Sequence, residues 1–413
     1  MKTLMHRSLF LSSLLALTTS VTAQTFDAGS DESDGAFNLG YNQSRTLQVP
    51  EDGVFNFTTF NTEQRASVYF RQNAARTPIT ILCSGSFTHR GRIYIHGGAA
   101  NGIEGGLAGP GGFPGGKGGE QPADGLGPGG GKGGWSNDDA ATGTKPGGIP
   151  FRGGGSYGSR STLAEVAATG GPIFGNNLLI PPVGGSGGGG GQGATFDKHS
   201  GGGGGAGSIT IASNSLIQFI QWEASQSNPG IRAYGGAGSG NFGGGSGGAI
   251  RLIAPNVQGF VWLDVRPGDQ TAGFGRIRID RIQPGEVTLF DPDGDPAILS
   301  SNNFATFGSN MVVTPPNLPS LRIVEAANQP VAPDRNDPVF VLLPPGAPAT
   351  QTVRVAVTNF NDNVPLRCIL TPETGEKLTY DFEVDNSAGG TTEGSVQVQV
   401  PSGVTTRVDV WTR

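Results

Sequence analysis

Apolar and polar residues alternate along most of this chain in short runs. Val54, Phe55, Phe57 and Phe60 form one such run, and Val68 and Phe70 another. A period of two in β-branched and aromatic residues, bounded by Gly, Asn and Asp, predicts strands. No amphipathic helical pattern follows residue 23. A three-run unit then recurs. Its first copy is 79–83, 86–88 and 92–95; its second is 208–211, 216–220 and 230–233. A third occupies 249–253, 257–262 and 263–265, and a partial fourth starts at 275–279. Inward positions hold Ile, Leu, Val and Phe, while outward positions hold Thr, Arg, Gln and Asp. A single three-strand coil cannot bury its apolar side, but stacked coils roof one another. The pattern predicts an all-β chain: a right-handed parallel β-helix-like stack over residues 24–314. A sandwich built from the same strands is the alternative.

The repeat is interrupted at one recurring place. More than half of the 72 glycines fall between Gly97 and Ser208, and another cluster lies between Gly235 and Gly248. Each cluster follows a similar strand ending, Arg92-Ile-Tyr-Ile-His-Gly-Gly98 and Gly230-Ile-Arg-Ala-Tyr-Gly-Gly236. The long insertion therefore spans about residues 97–207 and leaves the stack from one edge. Triplets such as Pro114-Gly-Gly-Lys-Gly-Gly119 suit extended left-handed helices of the polyproline II type, whose bare faces can pack closely. Ordering glycine costs the most backbone entropy, so a flexible loop is the competing expectation. Trp135, Tyr157, Ile173, Phe174 and residues 178–180 are the apolar side chains able to pin it.

From Pro315 the composition changes. Residues 315–319 form a stiff proline-rich linker. Seven short β-like runs follow, at 321–324, 339–343, 353–357, 366–370, 378–384, 396–400 and 408–411. They predict an immunoglobulin-like β-sandwich over residues 315–413. At the other end, residues 1–23 read as a secretory signal peptide: Lys2 and Arg7, an apolar run from Leu9 to Leu17, then Val21-Thr22-Ala23. The expected location is secreted or extracytoplasmic, at the cell surface or free of it. No stretch is apolar enough to predict a membrane span. A net charge of −6, spread along the chain, argues against nucleic acid as a partner. Cys83 and Cys368 both sit in alternating apolar runs of different domains. They are expected to be buried thiols and not a disulfide.

Candidate chemistry is sparse. Gly-x-Ser-x-Gly occurs at 154–158, 184–188 and 244–248, but no helix follows to build a nucleophile elbow. His96 and His199 flank the insertion without the spaced partners a zinc site needs. Asp291, Asp293 and Asp295 place carboxylates at alternate positions with a glycine between, as a calcium loop does. Pro296 and Asn302 depart from that pattern, so a solvated turn competes with calcium. Asp27, Asp31, Glu32 and Asp34 form a looser acidic cluster. Arg276, Arg278 and Asp280 point outward on one strand, but no carboxylate pair suited to glycosidase chemistry accompanies them. No catalytic residue and no cofactor other than that calcium is expected. Phe113, Trp135, Phe151 and Tyr157 are the aromatic residues expected to contact a ligand from the insertion.

The run Phe26-Asp-Ala-Gly-Ser-Asp-Glu-Ser-Asp-Gly-Ala-Phe37, with the Gly-rich entry to Ala249-Ile-Arg-Leu252, resembles a group of uncharacterised, exported, glycine-rich bacterial proteins. The resemblance covers residues 24–280 and implies an extracytoplasmic β-rich protein with no activity attached. The expected function is non-enzymatic and of adhesive or extracellular-matrix type. Insertions on a rigid β scaffold would bind a glycan or a surface protein. The alternatives are a secreted polysaccharide lyase or hydrolase, and a purely structural, self-associating module of a surface assembly.

Overall fold

The computed structural model describes residues 26–73, 75–135, 153–161, 170–192, 199–221, 229–240, 243–282, 287–289, 305–313, 319–332, 339–373 and 378–412. Among them every regular element is a strand, and no helix is long and apolar enough to cross a membrane. Coils follow one another in chain order. The first holds β1 (Gly35–Leu39) and β2 (Ser44–Gln48); the second, β3 (Val54–Thr62) and β4 (Ser67–Arg71). The third holds β5 (Ile79–Cys83), β6 (Phe87–His89) and β7 (Arg92–Tyr94). Within the insertion lie β8 (Gly134–Trp135) and β9 (Gly191–Gln192). The fourth coil is β10 (Ser208–Ser213), β11 (Leu216–Phe219) and β12 (Gly230–Arg232). β13 (Ala249–Ile253) and β14 (Asn256–Asp264) make the fifth, β15 (Arg276–Asp280) and β16 (Val287–Leu289) the sixth, and β17 (Ala305–Gly308) closes the series.

These strands, apart from β8 and β9, join in one 15-stranded sheet whose pairings are parallel. The order fits a β-helix-like core with three faces. β5, β10, β13, β15 and β17 stack on the first face, continued by residues 54–57 of β3. The second face carries β6, β11 and the start of β14; the third carries β2, β4, β7, β12 and the end of β14. Register puts like residues on top of one another. Ile79, Ile209, Ile250 and Ile277 form one buried column, and Ile81, Ile211, Leu252 and Ile279 a second. Phe37, Phe60 and Phe87 stack nearly parallel with ring centroids 4.4 and 4.6 Å apart. Each such side chain contributes about 1.5–3 kcal/mol by leaving water, and only stacking makes that burial available.

Where they are described, the glycine-rich segments are joined by a regular set of backbone hydrogen bonds. They run out from β7, β12 and β14 and return to β10, β13 and β15, so they extend the stack from the corner between its third and first faces. Residues 201–207 lie at the centre, and their hydrogen bonds have a period of three. Gly204 and Gly207 donate N–H bonds to Gly98 and Ile95, Gly202 and Gly205 to Gly116 and Phe113, and Gly203 and Ala206 to Gly243 and Ser246. The carbonyls point to three other neighbours. Gly202 and Gly205 accept from Gly106 and Gly109, Gly203 and Ala206 from Gly188 and Gly185, and Gly201 and Gly204 from Ser239 and Gly236. One extended chain thus has six neighbours, as three residues per turn of a polyproline II-like helix require. Every polar backbone group finds a partner without forming a pleated sheet. Glycine is needed for the approach: a Cβ added at Gly202, Gly204 or Gly205 would fall on the carbonyl oxygen of Gly188, Leu107 or Gly185.

The C-terminal region is a separate pair of antiparallel sheets. β18 (Ser320–Ala326), β19 (Gln329–Pro330), β20 (Thr350–Thr358) and β23 (Thr391–Gln399) form one; β21 (Asn363–Pro372), β22 (Leu378–Asp385) and β24 (Thr406–Thr412) form the other. Val353, Val355, Val357, Val364, Leu366, Cys368 and Leu370 fill the space between them, as a β-sandwich requires. One expected strand is absent. Residues 339–343 pair with no sheet, and Phe340 and Leu342 are 87% and 92% exposed. Pro344 and Pro345 follow directly and have no N–H to give a ladder. Cys83 and Cys368 are free and buried, and burial pushes each thiol up to about 12.

Candidate functional site

The third face carries a close grouping of aromatic and charged side chains. Alternate residues of a strand point outward, and parallel register lines them up from coil to coil. One outward row is Ser44, Ser67, Arg92, Gly230 and Trp262. The next is Thr46, Tyr69, Tyr94, Arg232 and Asp264. Gln48 and Arg71 begin a third row. It passes into the glycine-rich segments as His96, Tyr234 and Arg266, where Gly97 donates to the Tyr234 carbonyl and Gly235 to that of Arg266. The face is therefore continuous from pleated sheet to glycine lattice.

Rings and ions hold this surface in shape. Tyr69 and Tyr94 stack with centroids 4.8 Å apart and planes within 7°. His96 and Tyr234 do the same at 4.9 Å and 7°, and Tyr94 meets His96 edge-on at 6.0 Å. The Arg232 guanidinium lies 3.1 Å from the Trp262 ring centroid, a desolvated cation–π contact. Its Nη1 is 3.4 Å from Asp264 Oδ2. Arg266 grips the same carboxylate in fork geometry, Nε to Oδ1 at 2.9 Å and Nη2 to Oδ2 at 3.0 Å. The Asp264 carboxylate is fully buried, whereas Arg266 is 48% exposed. Burial lowers the Arg232 pKa to about 10, and the charge of Arg92 pushes the same way against Asp264. Burial also raises Tyr234, with Asp264 adding to the effect. Arg71 and Arg92 have no carboxylate partner among the described residues. Among the described residues four arginines and one aspartate lie on this face of a chain of net charge −6. Such a face can hydrogen-bond hydroxyls through its tyrosines, stack a ring on Tyr69, and hold anions with its unpaired guanidinia.

The residues expected from the insertion are placed elsewhere. Tyr157 is 1% exposed, packed with Phe174 at 4.7 Å and with Leu179 and Ala249. Its ring pins the insertion to β13 and cannot meet a ligand; so large an apolar ring is worth more in contact with the stack than in water. Phe113 is half-buried, its ring against Gly127, and Trp135 closes β8. Phe151, and the calcium candidates Asp291, Asp293 and Asp295, lie outside the described residues, as does the 1–23 segment. Among the described residues no three His, Cys, Asp or Glu side chains gather as a metal site would need. Asp27, Asp31 and Asp34 each accept a nearby backbone N–H, from Gly29, Ser33 and Asn56.

The basic and acidic residues that a lyase reading would draw together have separate partners. Arg276 donates to Asn177 and to the Phe174 carbonyl. Arg278 binds Asp280 Oδ1 through Nε and Nη2, and Arg251 holds Oδ2. His96 belongs to the third face, away from this first-face cluster. The Tyr94–His96–Tyr234 ladder escaped the sequence reading, although its signal was present. Tyr94 and Arg232, and His96 and Tyr234, occupy matching places in the two repeated strand endings. No family model, no curated protein and no solved structure matches the chain.

Proposed function

We propose that this chain is a non-enzymatic secreted or cell-surface protein of adhesive or matrix type, which binds glycan through the outward third face. In this reading the core is a right-handed parallel β-helix and the C-terminal unit an immunoglobulin-like sandwich. Export by the 1–23 signal belongs to the same reading, as does kinship with exported glycine-rich bacterial proteins. The observation that carries it is the continuous face bearing Tyr69, Tyr94, His96, Tyr234 and Trp262 between arginines. Aromatic rings and directional donors on a preformed surface are what sugar recognition uses, since little ordering entropy is then lost on binding.

The test is a glycan and polysaccharide array probed with the purified protein, the eluates being analysed for cleavage products. Binding without products is expected, with Tyr94→Ala and Tyr234→Ala each weakening it about tenfold. Cleavage products would replace the adhesive reading with the lyase or hydrolase one. Self-association with no glycan bound would favour the structural module.

A further inference from the structure

We infer that the ligand of the third face is an acidic polysaccharide, laid along the stack across successive coils. This rests on the glycan-binding reading above and adds the charge and direction of the ligand. The second, third, fourth and fifth coils each carry one arginine on this face, Arg71, Arg92, Arg232 and Arg266, of which Arg232 is buried against the Trp262 ring. Strands of neighbouring coils lie about 4.8 Å apart, so the four span roughly 15 Å along the stack. Their environments differ in a way that fits a ligand. Arg232 and Arg266 are both held by Asp264, which fixes their positions. Arg71 is exposed and Arg92 half-buried, and neither has a carboxylate partner among the described residues. Arginine presents a planar fork suited to carboxylate and sulfate groups.

The aromatic residues argue for sugar between those charges. Tyr69 stacks on Tyr94 through one ring face, and its other neighbour in the row is the small Thr46. The second face of Tyr69 is thus open, consistent with its 38% exposure, and a pyranose ring can lie on it. Tyr94 gives one ring face to Tyr69 and meets His96 edge-on, while His96 and Tyr234 each give one face to the other. They offer polar atoms to hydroxyl groups and leave few open ring faces for successive bases. Single-stranded nucleic acid wants the opposite arrangement, a series of open faces along a strongly basic groove.

The experiment titrates the purified protein, at a fixed near-physiological salt concentration, with polygalacturonate, heparin, neutral dextran, poly-glutamate and single-stranded DNA. Arg71→Gln and Arg92→Gln are compared with the parent, their thermal unfolding confirming an intact fold. The inference expects binding to polygalacturonate or heparin, weakened about tenfold by either substitution, the scale of one charge-assisted hydrogen bond. Dextran should bind weakly and respond to neither change. Equal affinity for dextran, or binding untouched by both substitutions, would overturn the acidic-ligand inference while leaving glycan binding in place. Tighter binding of DNA or poly-glutamate than of either acidic polysaccharide would also overturn it. Binding to no carbohydrate at all would remove the glycan reading as well.

Discussion

His89 shows how much this stack asks of single positions. It occupies an inward place on β6, in register with Thr62 and Phe219, where neighbouring columns hold only apolar side chains. Its ring is fully buried, and Nδ1 lies 2.7 Å from Thr62 Oγ1. Burial lowers its pKa to about 4, outweighing the carbonyls of Gly230 and Gly91. Because the folded value lies below the unfolded one near 6.5, the unfolded chain binds the proton more readily. The stabilising effect of the neutral ring is complete above pH 6.5 and is lost as pH falls toward 4. The loss is on the order of 3 kcal/mol. Thermal unfolding followed from pH 7.5 to pH 4 should show this decline, and His89→Asn should flatten it. An unchanged pH profile in that variant would show that other groups carry the acid sensitivity.

At the scale of elements, the glycine segments replace side-chain packing with backbone packing. That makes substitutions unequal within one run. At Gly204 a Cβ would be driven into the Leu107 carbonyl, with Gly106 also close, and both are backbone atoms that cannot swing away. At Gly98 the nearest atoms, also of Leu107, stand 3.2 and 3.3 Å off. Gly204→Ala should therefore cost about 3 kcal/mol or more, and Gly98→Ala about 1 kcal/mol or less, by denaturant unfolding. Similar costs for both would mean that the segments are not locked together. The same contrast explains what could be read beforehand. The three-run coils were legible because Ile79, Ile209 and Ile250 repeat an alternating pattern that stacking alone can satisfy. The triplet at 114–119 led to the expectation of an extended helical form, but no sequence rule says which six segments surround residues 201–207. The sandwich was legible except at 339–343, where a run as apolar as a strand ends in two prolines. Asp264 was hidden for another reason: Arg232 lies 32 residues away, and only the fold brings them together. Tyr157 was expected both to pin the insertion and to meet a ligand; its burial against Phe174, Leu179 and Ala249 keeps the first role and removes the second.

At the scale of the whole molecule, the glycine lattice and the coil stack act as one support for the third face. The row from Gln48 and Arg71 continues without a break into His96, Tyr234 and Arg266, so the site is only as rigid as the lattice beneath it. If the lattice were a fluctuating loop, His96 and Tyr234 would have to be ordered anew at each encounter, and that entropy would weaken binding. The most direct test is native-state hydrogen exchange on the backbone amides of residues 201–207, compared with those of β10. The account predicts that both are protected to a similar degree, since each amide of the lattice has a carbonyl partner and lies away from water. Exchange of residues 201–207 at the rate of an unstructured chain, beside a protected β10, would contradict it.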